Sequence, residues 1–400
     1  PEEALKSLQK AKEVDPDYAT PYFNLANYHL SQNRPDQALK EFQAILEREP
    51  ENIKALVSCG AICDLQDKDA EALISYQKAS ETNDPEGYLA LSHYLLRTGQ
   101  KEKAFTILEQ AQNALPKHAG ILTLRGKLLF NENRLEDAQG VFRQLETVDV
   151  QQGLPWLVRI ALRQKENDRA LDMARKAMES QPRETFGYSQ LASIHEALGQ
   201  QSNADVVLED GVSNVKTPWR LQLQQAGLWS RMGREDAALA LFERLVEEHP
   251  RQVEALFALG TMYDRLGRKK AALDTYRKTL AISEDYTPAM NNLAYLLAEN
   301  YGNLDEAYTL AVKAFRKEPS SGGVLDTLGC VLVKQGKGEE AVKFLERAST
   351  LLVKNPTVLL HLGESYQLCG RTEDAKRTLQ QVVELAHQPE SEKAKRLLQM

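Results

Sequence analysis

Residues 253–286 read VEALFALGTMYDRLGRKKAALDTYRKTLAISEDY, and their spacing decides the architecture. Leu256, Leu259, Gly260 and Tyr263 fall three and four apart, the one-sided pattern of an amphipathic helix. Gly267 follows, a residue that accepts positive φ and so ends one helix and turns the chain into the next. Ala272 lies in a second helical pattern. The small residues 260 and 272, one per helix, let two backbones approach closely where they cross.

The same stretch recurs along the whole chain. Alanine stands at 38, 72, 104, 138, 170, 204, 238, 272, 307, 341 and 375, in steps of 32 to 35 residues. Twelve or thirteen residues before each comes Ala26, Gly60, Ser92, Gly126, Val158, Ala192, Ala226, Gly260, Ala294, Gly329 or Gly363, so only Val158 is large. Inward positions follow the alanine at i+4 and i+7, as in Phe42 and Ile45, Phe142 and Leu145, or Phe242 and Leu245. Between the helices sit Gly99, Gly199, Gly233, Gly267, Gly302, Gly336 and Gly370, with Asn33, Asp67 and Asn133 elsewhere and Lys165 as the exception. The second helix closes at Pro16, Pro50, Pro116, Pro182, Pro250 and Pro319, where the ring cannot continue the hydrogen-bond ladder.

A period near 34 with two helices per unit resembles the tetratricopeptide repeat over essentially all 400 residues. The resemblance implies an all-α, right-handed superhelical solenoid. Residues 1–18 are expected to be the second helix of a truncated repeat. Residues 19–388 are expected to form eleven repeats beginning near 19, 53, 85, 119, 151, 185, 219, 253, 287, 322 and 356, and residues 389–400 a terminal capping helix. The half repeat at the start reads as the edge of an excised stretch, so that a targeting signal would precede residue 1; cytoplasm and bacterial periplasm both stay open. Two departures stand out. Gly153 and Pro155 predict a first helix that starts late and packs loosely, and one extra residue near Tyr301 and Gly302 predicts a lengthened turn; both could bend the array.

Composition narrows the function classes. With 42 % hydrophobic residues a packed core is affordable in a repeat array, and a net charge of −7 without any basic block argues against nucleic acid. No apolar run reaches the length of a membrane span. Cys59, Cys63, Cys330 and Cys369 follow no metal-ligand spacing and read as free, mostly buried thiols, so neither metal nor cofactor is expected. The phosphate-cradling, dinucleotide, zinc-protease and nucleophile-elbow motifs are absent, and no catalytic residue is assigned.

The resemblance implies that the first helix of each repeat lines the concave side through its second, fifth, ninth, twelfth and thirteenth positions. The cations there are Arg97, Lys127, Arg159, Arg163, Arg231 and Arg265, a local positive field suited to an acidic peptide or an anionic polymer. Phe23, Asn27, Phe257, Asn291 and Tyr295 complete the candidate groove. The bland alternative is that arginines and lysines near helix C-termini complement the helix dipole. The carboxylate clamp of chaperone-binding relatives is not met, because no lysine precedes Asn27 by four and Ser58 and Ala90 stand in the next repeats; the asparagine ladder of glycosyltransferase-linked arrays is interrupted by Ala90, Leu124, Trp156 and Ala258. The expected function is a non-catalytic scaffold that binds a protein or peptide in its groove. Residues 291–299, with 305–307 and 325–329, resemble bacterial repeat proteins of exopolysaccharide export, which implies a periplasmic assembly role as one alternative. A substrate-recruiting array of a larger enzyme is the other.

Overall fold

The structure is a computed structural model that describes residues 2–32, 34–385 and 389–399. Among the described residues every regular element is helical. The chain divides into two compact units, Pro1–Gly199 and Gln200–Met400. Unit 1 comprises α1 (Glu2–Val14), α2 (Ala19–Ser31), α3 (Pro35–Leu46), α4 (Ile53–Leu65), α5 (Asp69–Glu81) and α6 (Pro85–Arg97). It continues with α7 (Lys101–Ala114), α8 (Ala119–Asn131), α9 (Leu135–Val148), α10 (Val150–Arg163), α11 (Asn167–Ser180) and α12 (Thr185–Ala197). Unit 2 opens with α13 (Gln201–Asn214), α14 (Trp219–Arg231), α15 (Glu235–Glu248), α16 (Val253–Arg265), α17 (Lys269–Ile282) and α18 (Thr287–Leu296), which runs on into a π turn at Leu297–Tyr301. It ends with α19 (Leu304–Lys317), α20 (Gly322–Lys334), α21 (Gly338–Leu351), α22 (Pro356–Leu368), α23 (Thr372–Leu385) and α24 (Glu390–Leu398).

Within each unit every helix packs on its neighbours in sequence. First helices also touch one another, α4 with α6, α6 with α8, α8 with α10 and α10 with α12 in unit 1, and α14 with α16, α18 with α20 and α20 with α22 in unit 2. Second helices stand further apart, so in each unit the row of first helices is the inner face. The small-residue rule has a direct steric cause. A Cβ on Gly126 would meet the ring of Phe142 at 2.5 Å, and one on Gly260 the ring of Tyr276 at 2.8 Å. Both rings are fully buried at these crossings, each contributing about 1.5–3 kcal/mol of burial.

The turns follow the sequence pattern and extend it. Asp67, Asn133 and the seven cap glycines from Gly99 to Gly370 all have positive φ; Asn33 lies outside the described residues. Lys165 is left-handed too, at φ 63°. Its N–H donates to the Leu162 carbonyl at 3.0 Å and the Glu166 N–H to that of Ala161 at 2.8 Å. These paired bonds hold a lysine where the backbone geometry favours glycine. Asn83 and Lys354 are left-handed after second helices, which the residue spacing did not indicate.

Both departures from the repeat are corrected. Helix α10 does not start late: Asp149 caps it, accepting from the Gln152 N–H at 3.1 Å, and it runs the full distance from Val150 to Arg163. Nor does it pack loosely. Gly153 lies so close to α9 that a Cβ would fall 2.3 Å from the Glu146 nitrogen, and Leu154, Leu157, Val158, Ile160 and Ala161 are buried. The extra residue before Gly302 does not lengthen the turn either. It is absorbed inside the helix as the π turn Leu297–Tyr301, after which Gly302 caps at φ 64°.

Candidate functional site

Three of the six candidate cations converge in unit 1. Lys127 on α8 and Arg159 on α10 lie over the Trp156 ring, at 5.6 and 4.7 Å from its centroid, and Arg163 lies 4.9 Å over Phe130. Trp156 is itself stacked on Phe142, with centroids 5.0 Å apart and planes 5° from parallel, and meets Phe130 edge-on at 5.6 Å. Arg163 also donates to the Phe130 carbonyl at 3.4 Å. Among the described residues, no carboxylate forms an ion pair with Lys127, Arg159 or Arg163, and all three are exposed. The fixed aromatic faces orient the cations and, apart from the Arg163 bond to Phe130, leave their N–H groups to solvent.

Two of the remaining cations are engaged in holding repeats together. Arg97 pairs with Asp64 of the preceding first helix. Arg265 donates to the Ser230 hydroxyl and carbonyl, both at 2.7 Å, and pairs with Glu235 at 3.0 Å. Arg231 is exposed on α14 in unit 2. Of the other candidates, Phe23 packs edge-on against Phe42 and Asn27 is exposed on α2. Phe257 packs between Tyr276 and Tyr286. The Asn291 amide donates to Asn292 at 3.4 Å, while its own oxygen is buried without a hydrogen-bond partner.

Tyr295 leads to a second constellation, which residue types alone did not single out. Its ring sits 6.2 Å from that of His361. Helix α20 presents Asp326, Cys330 and Lys334 at four-residue intervals, hence on one face. His361 on α22 meets Asp326 through Nδ1 at 2.9 Å, with the imidazole only 3 % exposed. The buried Cys330 thiol donates to Glu299 Oε1 at 3.5 Å, and Lys334 Nζ reaches the same oxygen at 2.8 Å. Next to them, Lys393 of α24 pairs with Glu364 at 2.6 Å, and Glu364 Oε2 has no hydrogen-bond partner.

The electrostatics of this cluster are those of opposing effects. Burial works to lower the His361 pKa, yet the hydrogen bonds and charges of Asp326 and Cys330 raise it well above the ordinary histidine value. Burial works to raise that of Glu299, but Lys334 beside it holds the carboxyl below the usual range. Burial pushes the Cys330 thiol and the Tyr295 phenol up. The nearby Lys334 is held above its ordinary value by Glu299, against the opposite pull of burial. Glu299, Cys330 and Lys334 do occupy thirteenth, ninth and thirteenth positions of first helices, so their inward register was readable; the convergence with His361, 31 residues beyond Cys330, was not.

Family models described as tetratricopeptide repeat match residues 1–58, 230–287 and 332–399. The helix pairs of these stretches are tetratricopeptide repeats. A TPR repeat-containing protein, PA4667, of Pseudomonas aeruginosa is 26 % identical over 147 residues, covering 36 % of this chain and 24 % of the relative. Mouse tetratricopeptide repeat protein 21B is 26 % identical over 211 residues, 51 % of this chain and 16 % of its own length. The chain thus spans a quarter or less of both relatives. The crystal structure of yeast Tom70 superposes with a TM-score of 0.53 at 15 % identity, covering 94 % of this chain and 92 % of that one, a likeness of fold. No helix among the described residues is long and apolar enough to cross a membrane.

Proposed function

We propose that this chain is a non-catalytic protein-interaction scaffold and that the inner face of α8 and α10 takes an acidic segment of a partner protein. Tetratricopeptide repeats support the scaffold reading in general. The finer reading rests on one observation: Lys127, Arg159 and Arg163 are exposed on the faces of Trp156 and Phe130 and are not neutralised by a neighbouring carboxylate. Guanidinium groups held on aromatic faces match carboxylates bidentately, and the ring edges offer apolar contact beside them. As a component of an exopolysaccharide export assembly, or as the recruiting array of a larger enzyme, the chain would use the same patch.

Fluorescence anisotropy with a labelled hexaglutamate peptide tests the assignment. Wild-type binding should weaken with added salt, and the Arg159→Glu/Arg163→Glu variant should lose at least about tenfold in affinity, ~1.4 kcal/mol. Equal affinity of the two proteins rules the patch out. Retention of alginate by the wild type with no binding of the peptide replaces the protein partner by an anionic polysaccharide.

A further inference from the structure

We propose that Glu299, Cys330 and His361 bind a divalent transition-metal ion, zinc by preference, on the inner face of unit 2. The carboxylate oxygen, thiol sulfur and imidazole nitrogen all lie within 4.8 Å of one another. Zinc bond lengths of 2.0–2.3 Å place the ligands of a tetrahedral ion ~3.5 Å apart; Cys330 Sγ and Glu299 Oε1 already stand 3.5 Å apart, so closure falls to the imidazole, by ~1.3 Å at most. Sulfur and imidazole nitrogen beside one carboxylate form a donor set for zinc or its first-row neighbours, and not for calcium or magnesium, which take oxygen.

The surroundings fit that use. Asp326 holds His361 Nδ1 at 2.9 Å, the carboxylate–histidine arrangement that fixes an imidazole and leaves Nε2 to the ion. Each ligand comes from a different element, the π turn after α18, then α20, then α22, and repeat packing fixes all three. Cys330 and His361 are 1 % and 3 % exposed, while Glu299 and Lys334 form the more open side by which an ion enters. Lys334 supplies the positive charge beside Glu299 in the ion-free arrangement. When the ion displaces it, the ammonium can turn to solvent or toward Glu364, whose Oε2 has no partner. On binding, the Cys330 thiol and the His361 imidazolium each give a proton to solvent, so that the thiolate sulfur and the freed Nε2 of a neutral imidazole bond the metal, with no change of oxidation state. The thiolate and the Glu299 carboxylate then balance the two positive charges of the ion. A fourth position stays open to water or to a donor from a bound partner.

Cobalt(II) titration of the chelator-treated 400-residue chain tests the site. One equivalent should bind with a near-ultraviolet thiolate-to-cobalt charge-transfer band, which zinc then bleaches by displacement. Cys330→Ser should abolish the band, while His361→Gln and Glu299→Gln should each weaken binding at least about tenfold and Asp326→Asn about 10–100-fold, all with wild-type helicity by circular dichroism. Cys59→Ser/Cys63→Ser should leave the band unchanged. The proposal is overturned if the wild type takes up no cobalt at one equivalent. It is equally overturned if the band survives Cys330→Ser or is lost with the Cys59/Cys63 pair; the wild-type titration decides even where a variant does not fold.

Discussion

The inner faces of α8–α10 and of α18–α22 use the same helix positions for opposite ends. In unit 1 the ninth and thirteenth positions carry Lys127, Arg159 and Arg163, which lie on aromatic rings and face solvent. In unit 2 those positions carry Tyr295, Glu299, Cys330 and Lys334, and a histidine from the next first helix closes over them. The difference is one of sign. Three cations of one charge stay exposed on ring faces, with a single carbonyl bond from Arg163, whereas side chains of mixed charge find partners one repeat away. The register of a repeat therefore fixes where a side chain begins, and its neighbours' charges decide whether it becomes a recognition surface or a buried network.

The comparison can be broken from either side. Asp326→Ala should cost unit 2 about 3–5 kcal/mol, because it strands a buried imidazole whose charge that carboxylate supports; urea denaturation monitored by circular dichroism measures it, and Asp326→Leu/His361→Leu should recover most of the loss. Phe142→Ala should cost unit 1 about 3–5 kcal/mol and also weaken hexaglutamate binding, since Phe142 is the platform under Trp156. Lys165→Gly should raise the unfolding free energy from urea denaturation by about 1 kcal/mol, relieving a left-handed lysine. Arg159→Glu/Arg163→Glu should change stability by less than about 1 kcal/mol despite its effect on binding, in contrast to any change at Asp326.

The smallest effect sharpens the contrast through pH. Burial against α10 raises the Glu146 pKa above its ordinary 4.5, with Arg143 opposing. A carboxyl raised on folding destabilises the fold in its ionised form, so the cost is absent below the ordinary value and complete above the raised one. Glu146→Gln should therefore increase thermal stability slightly at neutral pH and leave it unchanged below pH 4.5.

Much of the fold was legible because a repeat states its rules many times. Helices begin at Ala19, Ile53, Pro85 and Ala119, and the glycine turns adopt the expected hand. What misled was local propensity at a single repeat: Gly153 and Pro155 look like a broken start, but a buried glycine lets α10 lie directly on α9, and the aspartate cap precedes both. The unit 1 patch was half legible. Register selected Lys127, Arg159 and Arg163, but that Arg97 and Arg265 would be held by Asp64 and Glu235 depends on distances across repeats. The Glu299–Cys330–His361 cluster lay beyond local motif reading, because ligand spacings of 31 residues join three repeats and match no short signature.

The π turn at Leu297–Tyr301 bears on how such a gene can change length. One codon added in the middle of an α-helix rotates everything beyond it by ~100°, and at residue 290 it would carry Tyr295 and Glu299 off the inner face. Placed in the last turn before a glycine cap, the added residue is taken up as a wider ring, and the helices that follow keep their phase. Single-codon insertions scanned along α18 should accordingly be tolerated in its final turn and nowhere earlier.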